Sequence, residues 1–169
     1  MAARLTVGVV SDTHGLVRPE VKEALRGSDV ILHAGDIGGT HVLSELGELA
    51  PVIAVRGNVD GGWARLLPER RVLDLGGVSV LVLHDRALVG KEPILTEAEA
   101  ACARARPGAP TRAIVVFGHS HQPLAQMRKG VLWFNPGSAG PRRFELPVSV
   151  GRLVFEGGRV RHRLIRLDV

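Results

Sequence analysis

The chain has 169 residues, 45% hydrophobic and 23% charged, and this composition predicts a single globular domain over residues 1–169. Its one cysteine excludes an internal disulfide, and its apolar runs are too short to span a membrane, so we expect a cytoplasmic protein without a membrane partner. The formal net charge of +5 suits anionic ligands, but the basic residues are scattered and form no aromatic-interleaved run, so nucleic acid is not indicated as a partner.

The first third of the chain alternates short apolar runs with helical patterns. Strands are predicted over Leu5–Val10, Val30–Leu32 and Val52–Val55, whose nearly continuous β-branched character is typical of strands buried on both faces. Helices are predicted over Pro19–Leu25, which begins with proline, and over Thr40–Leu49, with Thr40 as the N-cap. This alternation predicts parallel βαβ units.

The remainder of the chain reads as strands joined by tight turns. Two further buried strands are predicted over Val78–Leu83 and Ala113–Phe117, and a capping box predicts a helix over Thr96–Ala105. Glycine-containing turns predict three hairpins. The first hairpin joins Arg71–Leu75 to Val78–Leu83, and the second joins Leu124–Arg128 to Val131–Phe134. The third joins Val148–Phe155 to Arg159–Leu167. The predicted fold class is α/β, with two packed mixed β-sheets flanked by helices in four α/β/β/α layers.

Five of these strands end directly before polar residues that can bind metal. Because ligands of open α/β sheets bind beyond the carboxyl ends of the strands, we expect these side chains to converge at one site. Their carboxylate, amide and imidazole groups suit Mn, Fe, Zn, Ni or Co rather than Ca, and a carboxylate can bridge two such ions about 3.5–4 Å apart. The candidate ligands are Asp12, His14, Asp36, Asn58, His84, His119 and His121.

Taken together, these motifs resemble the signature of the calcineurin-like metallophosphoesterases. The resemblance extends over roughly residues 5–145, and its motifs are specific in combination. The short length and the sequence 135–138, Asn-Pro-Gly-Ser, are similar to the compact phosphodiesterase branch of bacteria and archaea. The matching segments are Asp12-x-His14, Gly35-Asp36, Gly57-Asn58-x-Asp60, His84 and Gly118-His119-x-His121.

The resemblance implies two divalent transition-metal ions, with manganese as the first choice, and a hydroxide between them that attacks phosphorus. It assigns Asp36 as the bridging ligand and Asn58 as the catalytic residue that also faces the substrate phosphate. The first ion would be bound by Asp12, His14 and His121, and the second by Asn58, His84 and His119. Three further residues are expected to support the ligands without binding metal themselves: His33, Asp60 and Asp85.

Two positions depart from the family pattern. Many relatives have a histidine after the asparagine, proposed to protonate the leaving group, whereas this chain has Val59, so we expect turnover to favour esters with good leaving groups. Relatives often continue from the ligand histidine as His-Gly-His or His-Gly-Asp. Here His84 is followed by Asp85-Arg86, so Asp85 either orients a ligand or changes the loop.

Each candidate also has a simpler interpretation. Asp12 and Asp36 could cap following helices, and a histidine at a strand end is more often structural than a ligand. Four of the seven histidines, however, fall at signature positions, which favours metal binding.

The predicted function is hydrolysis of small phosphoesters by a metal-dependent phosphodiesterase or broader phosphoesterase. The alternatives are a protein-interaction scaffold of the same fold, as in the small retromer subunit, and a nuclease. A homo-oligomer is common among soluble proteins but nothing in the sequence requires one.

Overall fold

A computed structural model of the chain describes residues 4–90, 111 and 113–169. Within this part of the chain, ten strands and two α-helices are connected by short turns and two 3₁₀ helices, Gly62–Ala64 and Arg86–Gly90. The elements are β1 (Leu5–Val10), α1 (Pro19–Leu25), β2 (Val30–His33), α2 (Thr40–Gly47), β3 (Val52–Ala54), β4 (Arg70–Leu75), β5 (Val78–Leu83), β6 (Ala113–Val116), β7 (Leu124–Arg128), β8 (Val131–Asn135), β9 (Ser149–Glu156) and β10 (Arg159–Arg166).

The strands form two mixed five-stranded sheets. The first has the order β10-β9-β1-β2-β3, in which β1, β2 and β3 are parallel, β9 is antiparallel to β1, and β10 is antiparallel to β9. The second has the order β4-β5-β6-β8-β7, in which β5, β6 and β8 are parallel while β4 and β7 lie antiparallel at its edges. Two packed mixed sheets and all three predicted hairpins are thereby confirmed.

The main core fills the space between the two sheets. Val7 and Val9 of β1 pack in one buried cluster with Val80 of β5, Ile114 of β6 and Phe134 of β8. Each is removed from water almost completely, and burying one such side chain contributes about 1.5–3 kcal/mol to folding. Because both sheets supply alternate residues to this cluster, their strand ends are held in a fixed relationship.

Outer layers cover the other face of each sheet. Helices α1 and α2 bury Val21, Leu25 and Leu46 against Val10 and Ile31 of the first sheet. On the second sheet, the Arg86–Gly90 3₁₀ helix contributes a residue to a smaller cluster. The helix predicted over residues 96–105 lies outside the described residues.

The N-terminus of α2 differs from the prediction. Thr40 is the first helical residue rather than the N-cap, and Gly39 occupies the cap position without a side-chain hydrogen bond. At the preceding position, Gly38, a Cβ atom would overlap the backbone of Gly15, so the approach to the helix requires glycine there. The helix also ends at Gly47, two residues before the predicted Leu49.

The helices of the described residues are short. None of them is long and apolar enough to cross a membrane.

Candidate metal centre

The five predicted strand ends meet at one place. Three belong to the first sheet (β1, β2 and β3) and two to the second (β5 and β6). Backbone hydrogen bonds join the loops that follow them: the Asp12 amide donates to Gly35 O at 3.0 Å, and the His14 amide to Asp36 O at 3.0 Å. Across the two strands of the second sheet, the Gly118 amide donates to His84 O at 2.9 Å. The site is therefore built on the rigid ends of the core strands.

Five of the seven candidate ligands form two groups whose ligand atoms lie within 4.8 Å of one another. One group contains Asp12, His14 and His121, which the resemblance assigns to the first ion. The other contains Asp12, Asp36 and His84. Oδ2 of Asp36 lies 3.2 Å from Nε2 of His84 and 4.0 Å from Nε2 of His14, so this carboxylate also reaches both groups. Which carboxylate bridges two ions stays a prediction.

The remaining two candidates, Asn58 and His119, lie on the open side of the site. Nδ1 of His119 is 3.1 Å from Oδ1 of Asn58, and its ring meets the His84 ring edge-on at 5.2 Å between centroids. Both residues are exposed, whereas Asp12, Asp36 and His84 are buried. A ligand entering from solvent would therefore reach the asparagine and His119 before it reached the carboxylates.

Five candidate ligands have left-handed backbone conformations, which non-glycine residues rarely adopt. Such conformations cost energy and persist only where the surrounding structure imposes them, typically at functional sites. The φ angles lie between 46° and 67° for Asp12, His14, Asp36, His119 and His121.

Two glycines allow the ligand loops to approach one another. A Cβ atom at Gly57 would overlap Oδ1 and the amide nitrogen of Asp36. One at Gly118 would overlap the hydroxyl of Ser11 and lie 2.6 Å from Oδ2 of Asp12. The glycines that precede Asn58 and His119 in their motifs are therefore required for close packing around the carboxylates.

Several buried polar atoms at the centre lack a hydrogen-bond partner. A buried polar atom without a partner costs about 1–3 kcal/mol, so a cluster of them is typical of a ligand-binding site. Among the described residues these atoms include Asp12 Oδ1, His14 Nε2, His84 Nε2 and His121 Nδ1. One carboxylate oxygen and three imidazole nitrogens form the mixed oxygen and nitrogen donor set that transition-metal ions prefer, so these residues fit a metal site.

The sequence model of the calcineurin-like phosphoesterase superfamily domain matches residues 5–158. The chain belongs to this superfamily. A probable metallophosphoesterase of Methanothermobacter thermautotrophicus is 32% identical over 167 residues, which cover 96% of this chain and 92% of the relative. The family assignment agrees with the resemblance seen in the motifs, and it supports a metal-dependent phosphoester hydrolase.

Solved structures share the fold at low sequence identity. An archaeal phosphodiesterase is 21% identical, covers 96% of this chain and 100% of its own, and has a TM-score of 0.71. Vacuolar protein sorting 29 from Cryptosporidium parvum is 16% identical, covers 98% of this chain and 99% of its own, and has a TM-score of 0.72. At these identities the comparison establishes the metallophosphoesterase fold alone.

The environment of the site shifts the pKa values of two histidines in opposite directions in the metal-free chain. Burial lowers the pKa of His14, outweighing the nearby Asp36 carboxylate, while the Arg143 charge acts in the same direction as burial. Burial also opposes protonation of His84, but its contact with Asp36 and the charge of Asp12 raise the pKa of His84. For Asp36, burial favours the neutral acid, yet His84 and the Val59 amide lower its pKa. Asp36 therefore stays ionised.

Two of the three predicted supporting residues lie directly behind the ligands. His33 is fully buried, with Nε2 2.9 Å from the Thr13 hydroxyl and Nδ1 accepting from the Gly35 amide at 3.2 Å. The Asp60 carboxylate accepts three backbone N–H groups, from Ile37, Gly38 and Gly57, at 2.8–3.0 Å. It thereby joins the loop carrying Asp36 to the loop carrying Asn58.

The third predicted supporting residue, Asp85, has a different environment. Its carboxylate accepts the Ala87 amide at 2.9 Å, within its own turn and at the start of the Arg86–Gly90 helix. This contact favours the alternative in which the departure after His84 changes the loop. No hydrogen bond from Asp85 to a candidate ligand is present among the described residues.

The capping interpretation of Asp12 and Asp36 is wrong for both α-helices of the described chain. Neither α1 nor α2 has a side-chain cap hydrogen bond. Oδ2 of Asp12 instead accepts the Ser11 hydroxyl at 2.6 Å and the His119 amide at 3.1 Å. Oδ1 of Asp36 accepts the Val59 amide at 3.1 Å.

Three polar residues support the site in a role that sequence reasoning did not assign to them. Ser11 fixes the Asp12 carboxylate, and no local pattern distinguishes it from an ordinary strand-end serine. Asn135 donates to Gly118 O at 2.9 Å and to the Ser120 hydroxyl at 3.1 Å, which holds the loop between the two last histidines. Ser138 donates to Asp12 O at 3.0 Å. The Asn-Pro-Gly-Ser segment was the available signal for the last two.

Proposed function

We propose that this chain is a phosphodiesterase that hydrolyses small phosphoesters at a binuclear centre. The observation that carries the proposal is the convergence of Asp12, Asp36, His14, His84 and His121, four of whose buried polar atoms lack hydrogen-bond partners. The proposed ions are two divalent transition metals, manganese first, with Fe, Zn, Ni or Co as alternatives. Bound ions of this kind act as Lewis acids toward phosphoryl oxygens and activate water, so a Ser or Cys nucleophile is not needed.

The exposed residues of the centre are suited to bind the substrate. The Asn58 amide lies beside His119 at the solvent side, where its free hydrogens can donate to a phosphoryl oxygen. The buried carboxylates repel an anionic substrate until cations neutralise them, so substrate binding is expected to require metal. The roles of Asn58 in metal and phosphate binding remain part of the proposal.

A small diester with a good leaving group is the preferred substrate in this proposal. Val59 occupies the position after Asn58, and its side chain is 55% exposed at the open side of the site. An aliphatic side chain cannot donate a proton to a departing alkoxide, so the leaving group must carry the negative charge itself. Nitrophenyl esters satisfy this requirement better than alkyl esters do.

The decisive experiment is hydrolysis of bis(4-nitrophenyl) phosphate by metal-stripped protein, with Mn²⁺ added back. We expect activity to return with the metal in the wild type and to remain absent in Asp36→Ala. Asp74→Ala is the matched control, because this carboxylate accepts a turn amide of the β4–β5 hairpin and belongs to neither group of candidate ligands. Comparison with 4-nitrophenyl phosphate measures the preference for diesters over monoesters.

A scaffold function is the second candidate, since a vacuolar sorting protein shares this fold with a TM-score of 0.72. A scaffold would retain metal binding without turnover. Absence of hydrolysis by wild-type protein with confirmed Mn²⁺ content, on both the diester and the monoester, would favour that candidate and contradict the first.

A further inference from the structure

A cavity of about 490 Å³ lies where β7 and β10, edge strands of the two sheets, approach each other. Its lining comes from Met127 of β7, Glu156 of β9, residues 159–162 of β10 and Thr111, which precedes β6. Thr111 is buried, whereas most of the other lining residues are exposed, so the cavity opens to solvent. Its volume falls within the range of small-molecule sites, about 300–1,000 Å³.

This cavity lies at the opposite end of the sheets from the metal centre. The turn between β9 and β10 is beside the start of β1, because Phe155 pairs with Leu5, whereas Asp12 follows the end of β1. A strand of this length spans about 20 Å. In the second sheet, Thr111 precedes β6 and His119 follows it. A ligand in the cavity would therefore be remote from the candidate metal ligands.

Two guanidinium groups line the cavity, and they differ in their partners. Nη2 of Arg161 lies 2.9 Å from Oε2 of Glu156, so this group already has an anionic partner. Arg159 stands opposite Glu156 in the register of the two strands, yet it forms no ion pair within the described part of the chain. With two arginines and one glutamate, the lining carries a net positive charge that the protein itself leaves uncompensated.

The remaining wall of the cavity is apolar and rests on the main core. Val160 packs against the cluster between the sheets, and the His162 ring meets the ring of Phe134, a member of that cluster, at 6.2 Å between centroids. Met127, 47% exposed, supplies a flexible side chain of the kind that adapts to ligands of different shape. Arginines alone would be explained by protection of an edge strand against aggregation. A concave apolar wall beside a few charged groups is instead typical of a ligand site.

We propose that this cavity binds a small organic anion, with Arg159 binding its charged oxygens and Met127 and Val160 contacting its apolar part. The ligand class is a carboxylate or a phosphate carried on a small apolar group. A guanidinium suits either anion because it donates several hydrogen bonds with full charge. The inference goes beyond the proposed function, because the lining contains none of the candidate metal ligands.

The test measures equilibrium binding of benzoate and of phenylphosphonate to the full chain by titration calorimetry, with and without Mn²⁺. Phenylphosphonate has a P–C bond in place of the ester bond, so turnover does not interfere. Arg159→Ala tests the contact with the anion. Arg163→Ala is its matched control, because Arg163 is an exposed arginine of the same strand that is not part of the lining.

Met127→Ser tests the apolar contact. Val72→Ser is its control, because Val72 is 44% exposed on β4, the other edge strand of the same sheet, and is not part of the lining. Thermal unfolding of each variant verifies that the fold is retained.

Arg159→Ala is expected to weaken binding about five- to tenfold, less at high salt, while Arg163→Ala leaves it within about twofold. Met127→Ser should weaken binding about threefold, and Val72→Ser should not change it. The binding that depends on Arg159 should persist in metal-stripped protein. The probe that binds more tightly identifies the ligand as a carboxylate or as a phosphate.

Failure of both probes to bind would overturn the inference, and so would equal effects of the two arginine variants, which would describe a solvated basic edge. Equal effects of Met127→Ser and Val72→Ser would contradict the apolar contact. Loss of all binding on removal of Mn²⁺ would place the probes at the metal centre instead. A chain that binds the probes as described but hydrolyses no ester contradicts the proposed function alone.

Discussion

Nε2 of His84 lies 3.2 Å from Oδ2 of Asp36, although these residues follow strands of different sheets. The other ring nitrogen, Nδ1, lies 2.7 Å from Ala34 O, an acceptor, and must therefore carry a proton. In a neutral ring Nε2 would then direct a lone pair at the Asp36 carboxylate. A proton or a metal ion is required between them, which explains the raised pKa of His84 in the metal-free chain. A cation at this position connects the two sheets.

Metal binding is therefore expected to stabilise the whole sandwich. At a free Mn²⁺ concentration of 100 times Kd, a single site bound only by the folded chain adds about 2.7 kcal/mol to the free energy of unfolding. Urea unfolding with and without Mn²⁺ measures this change. Asp36→Ala, which removes one of the carboxylates, should lose most of it.

Ca²⁺ serves as the control for the proposed mixture of carboxylate and imidazole ligands. Its preference for oxygen-only, six- to eight-fold coordination predicts little stabilisation by a centre that contains several imidazoles. Equal stabilisation by Ca²⁺ and Mn²⁺ would contradict the mixed donor set derived from the histidines.

The sequence was sufficient to predict most strands and the set of residues that converge. Strand periodicity placed His84 and Gly118 at the carboxyl ends of β5 and β6, where the structure has them. It could not predict that these two ends belong to a different sheet from the end of β1, because strand order depends on long-range pairing. The left-handed backbone of Asp12 could not be predicted from the sequence either, because contacts such as that of Ser138 with Asp12 O impose the loop conformation.

Asp60→Ala is expected to destabilise the chain by about 2–4 kcal/mol and to weaken Mn²⁺ binding about 10- to 100-fold. The reason is that the variant leaves three backbone N–H groups without an acceptor and releases the Asp36 loop from the Asn58 loop. Urea unfolding and metal titration measure the two effects.

Asp85→Ala is the matched control for that prediction. It removes a carboxylate that accepts one amide within its own turn, so it should cost about 1 kcal/mol or less and leave metal affinity within about twofold. If the Asp85 variant weakened metal binding as much as the Asp60 variant, the interpretation of Asp85 as a loop residue would be wrong.

The lowered pKa of His33 predicts that the chain loses stability in mild acid. Burial lowers its pKa from 6.5 to about 4, so the folded chain binds this proton less readily than the unfolded chain does. The contribution of neutral His33 to the free energy of unfolding is complete above pH 6.5 and is lost as the pH falls from 6.5 toward 4. The total loss is about 3 kcal/mol. The urea midpoint of unfolding of the metal-free protein should fall less steeply with decreasing pH in His33→Gln than in the wild type. Parallel slopes would contradict a lowered His33 pKa, because the other titrating groups are common to both proteins.

If the chain hydrolyses phosphodiesters as proposed, Val59→His is expected to add general acid assistance to that reaction. The Val59 side chain is 55% exposed beside Asn58, so a larger ring fits without disturbing the core, and its backbone amide can still donate to Asp36 at 3.1 Å. Positioned general acids contribute about 10²–10⁴-fold, and an unoptimised one should raise kcat/KM for alkyl phosphodiesters about tenfold while changing nitrophenyl esters little. The measurement is the dependence of kcat/KM on leaving-group pKa, which should be steep in the wild type and shallower in the variant.

Val59→Gln is the control, because it adds polarity without an ionisable proton and should leave the dependence steep. Equal wild-type rates on alkyl and nitrophenyl diesters would contradict the absence of a general acid, and an equal gain from glutamine would assign the effect to polarity alone.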